Sequence, residues 1–455
     1  MLDAALLSRL QFAITVGFHF IFPPITIGLA WMLVIIEGLA WKKNDETWSR
    51  LAKFFAKLLA LTFAVGVATG IVMELQFGTN WAQYSKFVGD IFGAPLAAEG
   101  VFAFFLESSF LGLYLFGRNR VSKAVHWFSI LIVALGSAIS AFWILVADSW
   151  MQTPAGFVIR NGRAELESFS AAVFNPSTLP RVLHTLDAAL ITGAFVVAGV
   201  SAYWLLEKKE VEAARRALGL AVTFGLIFAF LEVFPFGHLH GQQVARTQPE
   251  KFAAIQGLYT TEQAAPVVFF AYPTTPPPPQ LRARIEVPGV LSYLAFGDPH
   301  ASIPGINEFP KDHIPPLWLT FVSYHNMVLL GMFFIFIMLV GFIQARRQKL
   351  WTSTGLLKVF VCAMPLPVIA CQFGWVSAEV GRQPWIVYHV MKTSDAISQT
   401  VSAGEILFSL ILFSVIYLLL GSLYIFLFAR EVNHGPEPAA AKGAFVPQPQ
   451  PEVFA

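Results

Sequence analysis

The sequence predicts an all-α, polytopic integral membrane protein of about nine transmembrane helices with one long extracytoplasmic loop. Of its 455 residues, 56% are apolar and only 13% are charged, and the mean hydropathy is +0.63. Soluble domains carry roughly 25% charged residues. The excess of apolar side chains exceeds what a water-soluble core can bury, so part of it must face lipid. The composition therefore excludes a soluble enzyme, a disordered chain and a disulfide-rich secreted domain.

Nine apolar runs are long enough to cross a bilayer core, which takes about 20 helical residues. Six of them contain no Asp, Glu, Lys or Arg: 12–36, 124–147, 188–206, 313–345, 359–378 and 406–429. Three more qualify only with acidic residues inside them: 58–77 with Glu74, 91–117 with Glu99 and Glu107, and 217–238 with Glu232. The chain thus divides into spans 1–6 over 1–240, a loop over 241–316, spans 7–9 over 317–430 and a tail over 431–455, which we expect to be disordered.

Basic residues are distributed unevenly between the two sets of loops. The loops after spans 1, 3, 5 and 7 hold sixteen Lys and Arg residues, whereas the shorter loops on the other side hold six. Since cytoplasmic loops are enriched in Lys and Arg, we predict an N-terminus outside and a C-terminus in the cytoplasm. The loop 241–316 then lies outside, and a loop of this length is typical of a functional or disordered segment.

Histidine and methionine residues inside the spans are candidate haem ligands. His19 lies in an aromatic segment before a Pro-Pro pair, and His184 lies near the outer end of span 5. A neutral imidazole is suited to hold haem iron, although a lone membrane histidine is more often an interhelical hydrogen-bond contact. Met327 with a histidine from another helix would give His/Met ligation. His325 competes with it, so bis-histidine ligation stays open.

Carboxyl groups inside the spans are costly and are candidate functional groups by default. Glu99 and Glu107 lie eight residues apart, which in a regular helix is about 12 Å along the axis and about 80° around it. Two such carboxyls indicate a proton relay, which Ser108, Ser109 and Ser140 could complete through water. The alternative is hydrogen bonding between helices.

Three further residues lie near the predicted outer membrane edge. Glu379 and Arg382 are three residues apart, which allows a local ion pair. In an aromatic segment broken by Gly and Pro, which includes Trp375, a haem ligand with a propionate-binding guanidinium is the better interpretation. Glu74 lies in a polar cluster that fits either helix capping or contact with a cofactor propionate.

Several longer motifs carry a family resemblance. They are Gly66-Val-Ala-Thr-Gly70, Met73-Glu-Leu-Gln-Phe-Gly-Thr-Asn-Trp81, Val88-Gly-Asp-Ile-Phe-Gly-Ala-Pro-Leu96, Ala103-Phe-Phe-Leu-Glu-Ser108, Trp143-Ile-Leu-Val-Ala147 and Gly381-Arg-Gln-Pro-Trp385. Over about residues 1–430 the chain resembles subunit I of the cytochrome bd family of quinol oxidases, with the same nine-span arrangement.

The resemblance implies a quinol:O2 oxidoreductase with three haems in a bacterial inner membrane. Carried over by motif, His184 and Met327 look like the ligands of the low-spin haem b558. His19 looks like the ligand of haem d, or of a third b-type haem, and Glu379 like that of haem b595. Arg382 and Trp375 would contact a haem group. Glu99 would lie close to the O2-reducing haem, with Glu107 and Ser140 further along the proton path.

The loop 241–316 resembles the quinol-binding Q-loop of the family, in its short, cyanide-insensitive form. Lys251 matches a lysine implicated in quinol binding. Gln256 stands where a glutamate is usual, and His325 where an arginine near the low-spin haem is common. His325 would either titrate with haem reduction or act as a structural hydrogen-bond donor.

The resemblance also implies partners: subunit II, possibly a small single-span subunit, ubiquinol or menaquinol, O2 and membrane lipid. No nucleic acid is expected. The rival interpretation is a proton-coupled transporter without haem that uses Glu99, Glu107 and Glu232.

Overall fold

The computed structural model describes residues 3–273 and 281–437, which are mainly helical. The α-helices in this part of the chain are α1 Ala4–His19, α2 Phe22–Lys43, α3 Glu46–Thr79, α4 Ala82–Ala98, α5 Phe105–Phe116, α6 Lys123–Gln152, α7 Phe169–Val173, α8 Thr178–Leu206, α9 Val211–Leu231, α10 His238–Thr247, α11 Pro249–Gln256, α12 Val290–Phe296, α13 Leu317–Arg346, α14 Thr354–Ala363, α15 Leu366–Val380 and α16 Ala403–His434. Two π-helical segments, Glu99–Phe104 and Glu232–Gly237, join α4 to α5 and α9 to α10.

The strands are short and pair only as antiparallel two-stranded ribbons. They are β1 Phe157–Arg160, β2 Arg163–Leu166, β3 Glu262–Gln263, β4 Val267–Pro273, β5 Leu281–Val287, β6 Ser302–Ile303, β7 Trp385–Val387 and β8 Met391–Lys392. The pairs are β1 with β2, β3 with β6, β4 with β5, and β7 with β8. All of these ribbons lie in connections between helices, so the membrane part is helical throughout the described residues.

Nine helical segments of the described chain are long and apolar enough to cross a membrane, which confirms the predicted fold class. Four of these segments are composite: α1 with α2, α4 with α5, α9 with α10, and α14 with α15. The longest, Ala4–Lys43, breaks between His19 and Phe22. Pro23 and Pro24 explain this break, because a proline lacks the amide hydrogen and its ring clashes with the carbonyl four residues earlier.

The helix α8 forms the centre of the bundle. Of the apolar 18-residue stretch with which it could cross a membrane, 83% is buried. It crosses α2 at Gly28 and Gly193, where the two backbones touch. A Cβ atom on Gly28 would lie 2.1 Å from the Ala189 carbonyl oxygen and 2.5 Å from the Gly193 amide nitrogen. Small residues at such crossings let membrane helices pack by van der Waals contact, where no hydrophobic driving force operates between them.

The connection between α10 and α13 is a folded unit. The predicted loop boundary at 240 lies inside α10, which continues to Thr247. Beyond it, α11, α12 and the β-ribbons enclose a hydrophobic cluster of their own, which includes Phe252, Ile255, Leu291 and Ile303. The Pro276–Pro279 run lies outside the described residues.

The last helix extends past the predicted start of the tail at residue 431. α16 ends at His434, and Glu437 reaches back to α3, where its Oε1 accepts a hydrogen bond from Lys57 Nζ at 2.9 Å. The tail prediction for residues 438–455 lies outside the described part of the chain.

The contact between Gly28 and Gly193 gives a stability prediction. Gly28→Ala places a methyl group against backbone atoms that cannot rotate away, and overpacking of this kind costs about 1–3 kcal/mol. We expect a lower apparent melting temperature in detergent for this variant. Gly112→Ala is the matched control, because no atom lies within 4 Å of a Cβ there. Equal melting temperatures for the two variants would contradict the close crossing.

Candidate functional site

A single cavity of about 2120 Å³ brings the predicted site residues together. Small-molecule pockets typically measure about 300–1,000 Å³, so this cavity has room for more than one large ligand. All thirteen candidate residues line it: His19, Glu74, Glu99, Glu107, Ser140, His184, Lys251, Gln256, His325, Met327, Trp375, Glu379 and Arg382. They come from several spans and from the outer loop.

His19 is the last residue of α1, and the helix break leaves its imidazole facing α3. Its Nδ1 lies 3.0 Å from Thr69 Oγ1. When the Thr69 hydroxyl donates to the carbonyl oxygen of Val65 or Gly66, both at 3.0 Å, Nδ1 is the donor to Thr69. The Nε2 lone pair is then free to bind a metal. Gly70 leaves room for the ring, because a Cβ there would lie 3.1 Å from His19 Cε1.

His184 lies in a polar group between α8 and the second π-helical segment. Its Nδ1 is 3.0 Å from Glu232 Oε1, and its ring centroid is 5.2 Å from that of His240. Asp187, one turn further along α8, is buried, and its Oδ2 has no hydrogen-bond partner among the described residues. The Glu232 carboxylate lies beside this nitrogen without forming a hydrogen bond, and a carboxylate at one imidazole nitrogen is the usual arrangement behind a metal-binding histidine.

Met327 projects from α13 toward α15. Its Sδ would lie 2.9 Å from a Cβ atom on Gly374, so the absence of a side chain at Gly374 creates the space that the thioether occupies. Met327 and His184 both line the cavity from different helices, as His/Met ligation requires.

Glu379 and Arg382 form the local ion pair that the sequence analysis considered as the alternative. Arg382 Nη2 bonds to Glu379 Oε2, and Nη1 lies 3.3 Å from Glu379 Oε1. The pair is not a surface pair, because Arg382 is 3% exposed. Glu379 Oε1 also accepts from Gln152 Nε2 at 3.0 Å. A carboxylate has about four acceptor positions, so one remains for a metal.

Lys251 is buried beside the same group. Its Nζ donates to Gln152 Oε1 at 2.9 Å and to Gln248 Oε1 at 3.3 Å. Burial lowers the pKa of the Lys251 ammonium to about 7, and the positive charge of Arg181 acts in the same direction. Gln152 therefore joins Lys251 to Glu379 by one hydrogen bond on each side.

Gln256 and His325 connect the outer loop to α13. Gln256 is buried, and its side chain is hydrogen-bonded to Tyr324. His325 Nδ1 lies 2.9 Å from the Phe321 carbonyl oxygen, and Nε2 lies 3.1 Å from that of Val268 in β4. These contacts fit the second of its two predicted roles, that of a structural hydrogen-bond donor.

Glu99 and Glu107 each pair with a serine of α6. Ser140 Oγ donates to Glu99 Oε1 at 2.7 Å, and Ser137 Oγ donates to Glu107 Oε1 at 2.5 Å. Ser108 instead donates to the Phe104 carbonyl oxygen of its own helix. Glu74 and Trp375 line the same cavity.

The partners of the candidate residues were harder to predict from the sequence than the residues themselves. Ser137, Asp148 and Gln152 all lie on α6, and Asp148 pairs with both Arg181 and Arg382. The spacing of these residues in the sequence could have revealed them. Together with Ser140, they occupy positions 137, 140, 148 and 152, which fall on one face of a helix with 3.6 residues per turn. Thr69, inside one of the quoted motifs, was also missed as a partner.

Comparison with known proteins identifies the family of this chain. The family described as "Cytochrome bd terminal oxidase subunit I" matches residues 7–436. The chain belongs to this family. It is 43% identical to cytochrome bd ubiquinol oxidase subunit 1 of Bacillus subtilis over 441 residues, which cover 95% of this chain and 94% of that protein. It is 34% identical to cytochrome bd-II ubiquinol oxidase subunit 1 of Escherichia coli over 504 residues, covering 96% and 98%.

A solved structure has the same fold. The bd oxidase of Geobacillus thermodenitrificans superposes with a TM-score of 0.90 at 33% identity, covering 96% of this chain and 99% of that one. Membership of the cytochrome bd family makes this chain a subunit of a terminal respiratory quinol oxidase and implies haem cofactors. The donor set fits haem, because His19 has a free Nε2, His184 has a carboxylate behind it and Met327 offers a thioether.

The hydrogen bond from His19 to Thr69 gives a cofactor-binding prediction. Thr69→Val removes the acceptor that fixes the imidazole, and loss of such an outer contact typically weakens metal binding about 10- to 100-fold. We expect reduced haem content with altered high-spin absorption. Thr62→Val is the matched control, since Thr62 is a buried threonine of the same helix that bonds to Leu58 and Tyr424. The same loss in both variants would contradict the assignment.

Proposed function

We propose that this chain is the haem-bearing subunit of an oxidase that oxidises quinol at the outer membrane face and reduces O2 to water. It would generate proton motive force by charge separation without pumping. The observation that carries the proposal is the single cavity, which connects Lys251 at the loop with Glu107 inside the bundle. The residues that we assign to quinol binding, haem ligation and proton transfer thus line one continuous space.

Quinol would bind beside Lys251, where the folded outer loop covers the cavity. Lys251 is buried and has a lowered pKa, so it can take or release a proton near neutral pH. Gln152 holds its ammonium group in place from α6. Gln256 does not ionise, and we assign it a hydrogen-bonding role toward the quinol head group.

Four side chains would hold three haems. His184 and Met327 would bind haem b558, Glu379 haem b595, and His19 haem d or a third b-type haem. The bound haems would supply one-electron transfer and O2 reduction. Thr69 and Glu232 would orient the two histidines, and Arg382 would balance charge beside Glu379, with Trp375 and Glu74 as further contacts.

Protons for O2 reduction would come from the cytoplasmic side. Glu107 with Ser137 and Glu99 with Ser140 form two carboxyl–hydroxyl pairs in succession along α6. Each carboxyl can hold a proton that the next group accepts, directly or through water. Quinol protons released outside and protons consumed from inside then separate charge with no pumping step.

Membership of the family supports a proposal for the assembly. We propose that the chain pairs with subunit II, and that its N-terminus lies outside and its C-terminus in the cytoplasm of a bacterial inner membrane. A small single-span subunit would be a further partner. The short-loop, cyanide-insensitive form also belongs to this proposal.

An absorption spectrum tests the proposal first. The reduced-minus-oxidised spectrum of the protein purified with its partner should show a low-spin b-type signal together with high-spin bands. His184→Ala should remove the low-spin signal and leave the high-spin bands, because only one iron loses its ligand. His300→Ala, at an exposed histidine of the outer loop, should change nothing. A flat spectrum from folded, haem-supplied protein would overturn the oxidase and favour the haem-free transporter.

The relay predicts a turnover defect without cofactor loss. Glu107→Gln keeps the hydrogen bond to Ser137 but cannot carry a proton, so O2 consumption should fall by about 100-fold. The haem spectrum should be unchanged. Glu212→Gln is the control, since Glu212 is an exposed carboxylate that pairs with Arg216. Full turnover in the Glu107 variant would remove this residue from the proton path.

A further inference from the structure

Three metal-binding side chains meet at the loop end of the bundle, apart from the haem candidates. Glu250 lies in the first turn of α11, His313 precedes α13, and His389 lies in the turn between β7 and β8. Each offers one ligand atom, and these atoms all lie within 4.8 Å of one another. Of these atoms, His389 Nε2 lies 3.2 Å from Glu250 Oε1.

The donor set and its spacing are those of a zinc site. Two imidazoles and one carboxylate with an open fourth position is a common catalytic zinc arrangement. Bond lengths of about 2.0–2.2 Å place tetrahedral ligand atoms about 3.3–3.5 Å apart. The three ligand atoms now lie within 4.8 Å of one another, so small side-chain rotations would bring them to the tetrahedral spacing.

The surroundings hold the three ligands in place. The Tyr388 hydroxyl bonds to Glu250 Oε2, which leaves Oε1 facing His389. Lys392 Nζ donates to Asp312 Oδ2 at 2.9 Å and so ties the segment before His313 to β8. The His389 side chain is 47% exposed, so an ion can enter from solvent and keep a water as its fourth ligand.

We propose that Glu250, His313 and His389 bind one Zn²⁺ ion at the loop end of the bundle. The ion would cross-link α11 to the connection between α15 and α16. Since α11 also carries Lys251, the ion would stiffen the quinol side of the cavity. That consequence rests on the proposed function, whereas the binding of the ion does not.

Direct metal binding tests the site. The untagged protein, purified with its partner and stripped with EDTA, is titrated with ZnCl2 by calorimetry, and bound zinc is counted by mass spectrometry after dialysis. We expect one equivalent of zinc for the wild-type protein. His313→Gln and His389→Asn should each lose it. Asn suits position 389, where the backbone φ is +55°.

A histidine outside the cluster serves as the control for zinc binding. His300→Gln removes an exposed histidine of the same loop, and this variant should still bind one equivalent of zinc. Unchanged apparent melting temperatures in the metal-free state would show that the two ligand variants are folded. Wild-type protein that retains no zinc would overturn the proposal, as would equal binding by all four proteins. Because zinc content is read without turnover, this outcome is independent of whether the oxidase assignment holds.

Discussion

The whole arrangement depends on the cost of leaving a polar side chain unpaired in an apolar interior. Each ionisable group in the spans must meet a partner, a cavity or a ligand. Glu37 is paired with protein side chains alone. It is buried between Arg118, at 2.8 Å, and His126, at 3.2 Å, away from the cavity. The candidate residues, in contrast, face one shared cavity that can hold a ligand.

The helix α6 supplies the partners that make this shared cavity possible. Ser137 and Ser140 donate hydrogen bonds to Glu107 and Glu99, Asp148 pairs with two arginines, and Gln152 bonds to both Lys251 and Glu379. These four positions form one polar face of the helix. α6 therefore connects the Lys251 end of the cavity to the Glu107 end, and a change in its rotation would affect both together.

Sequence reasoning went furthest where a residue's own chemistry carries the signal. The nine spans follow from run length and composition, and His19, His184 and the relay glutamates stand out because they are costly in lipid. The identity of each partner does not follow in the same way, because a partner such as Gln152 or Asp148 lies far away in the chain. Whether Arg382 meets Glu379 or a cofactor likewise depends on packing among α6, α8 and α15. The folded outer loop was missed because its Pro-rich composition indicates no secondary structure, although its apolar residues form a separate core.

The first π-helical segment accounts for the difference between the expected and the observed geometry of the relay. In a regular helix, Glu99 and Glu107 would point about 80° apart, and both could not face one stripe of α6. A π turn accommodates one extra residue, so eight residues count as seven, which is two turns to within about 20°. Both carboxyls then face the same side and meet Ser140 and Ser137, which are themselves one turn apart. The second π-helical segment also begins at a glutamate, Glu232, which lies beside His184. In both places an insertion that interrupts the helical hydrogen bonding begins at a carboxylate that lines the cavity.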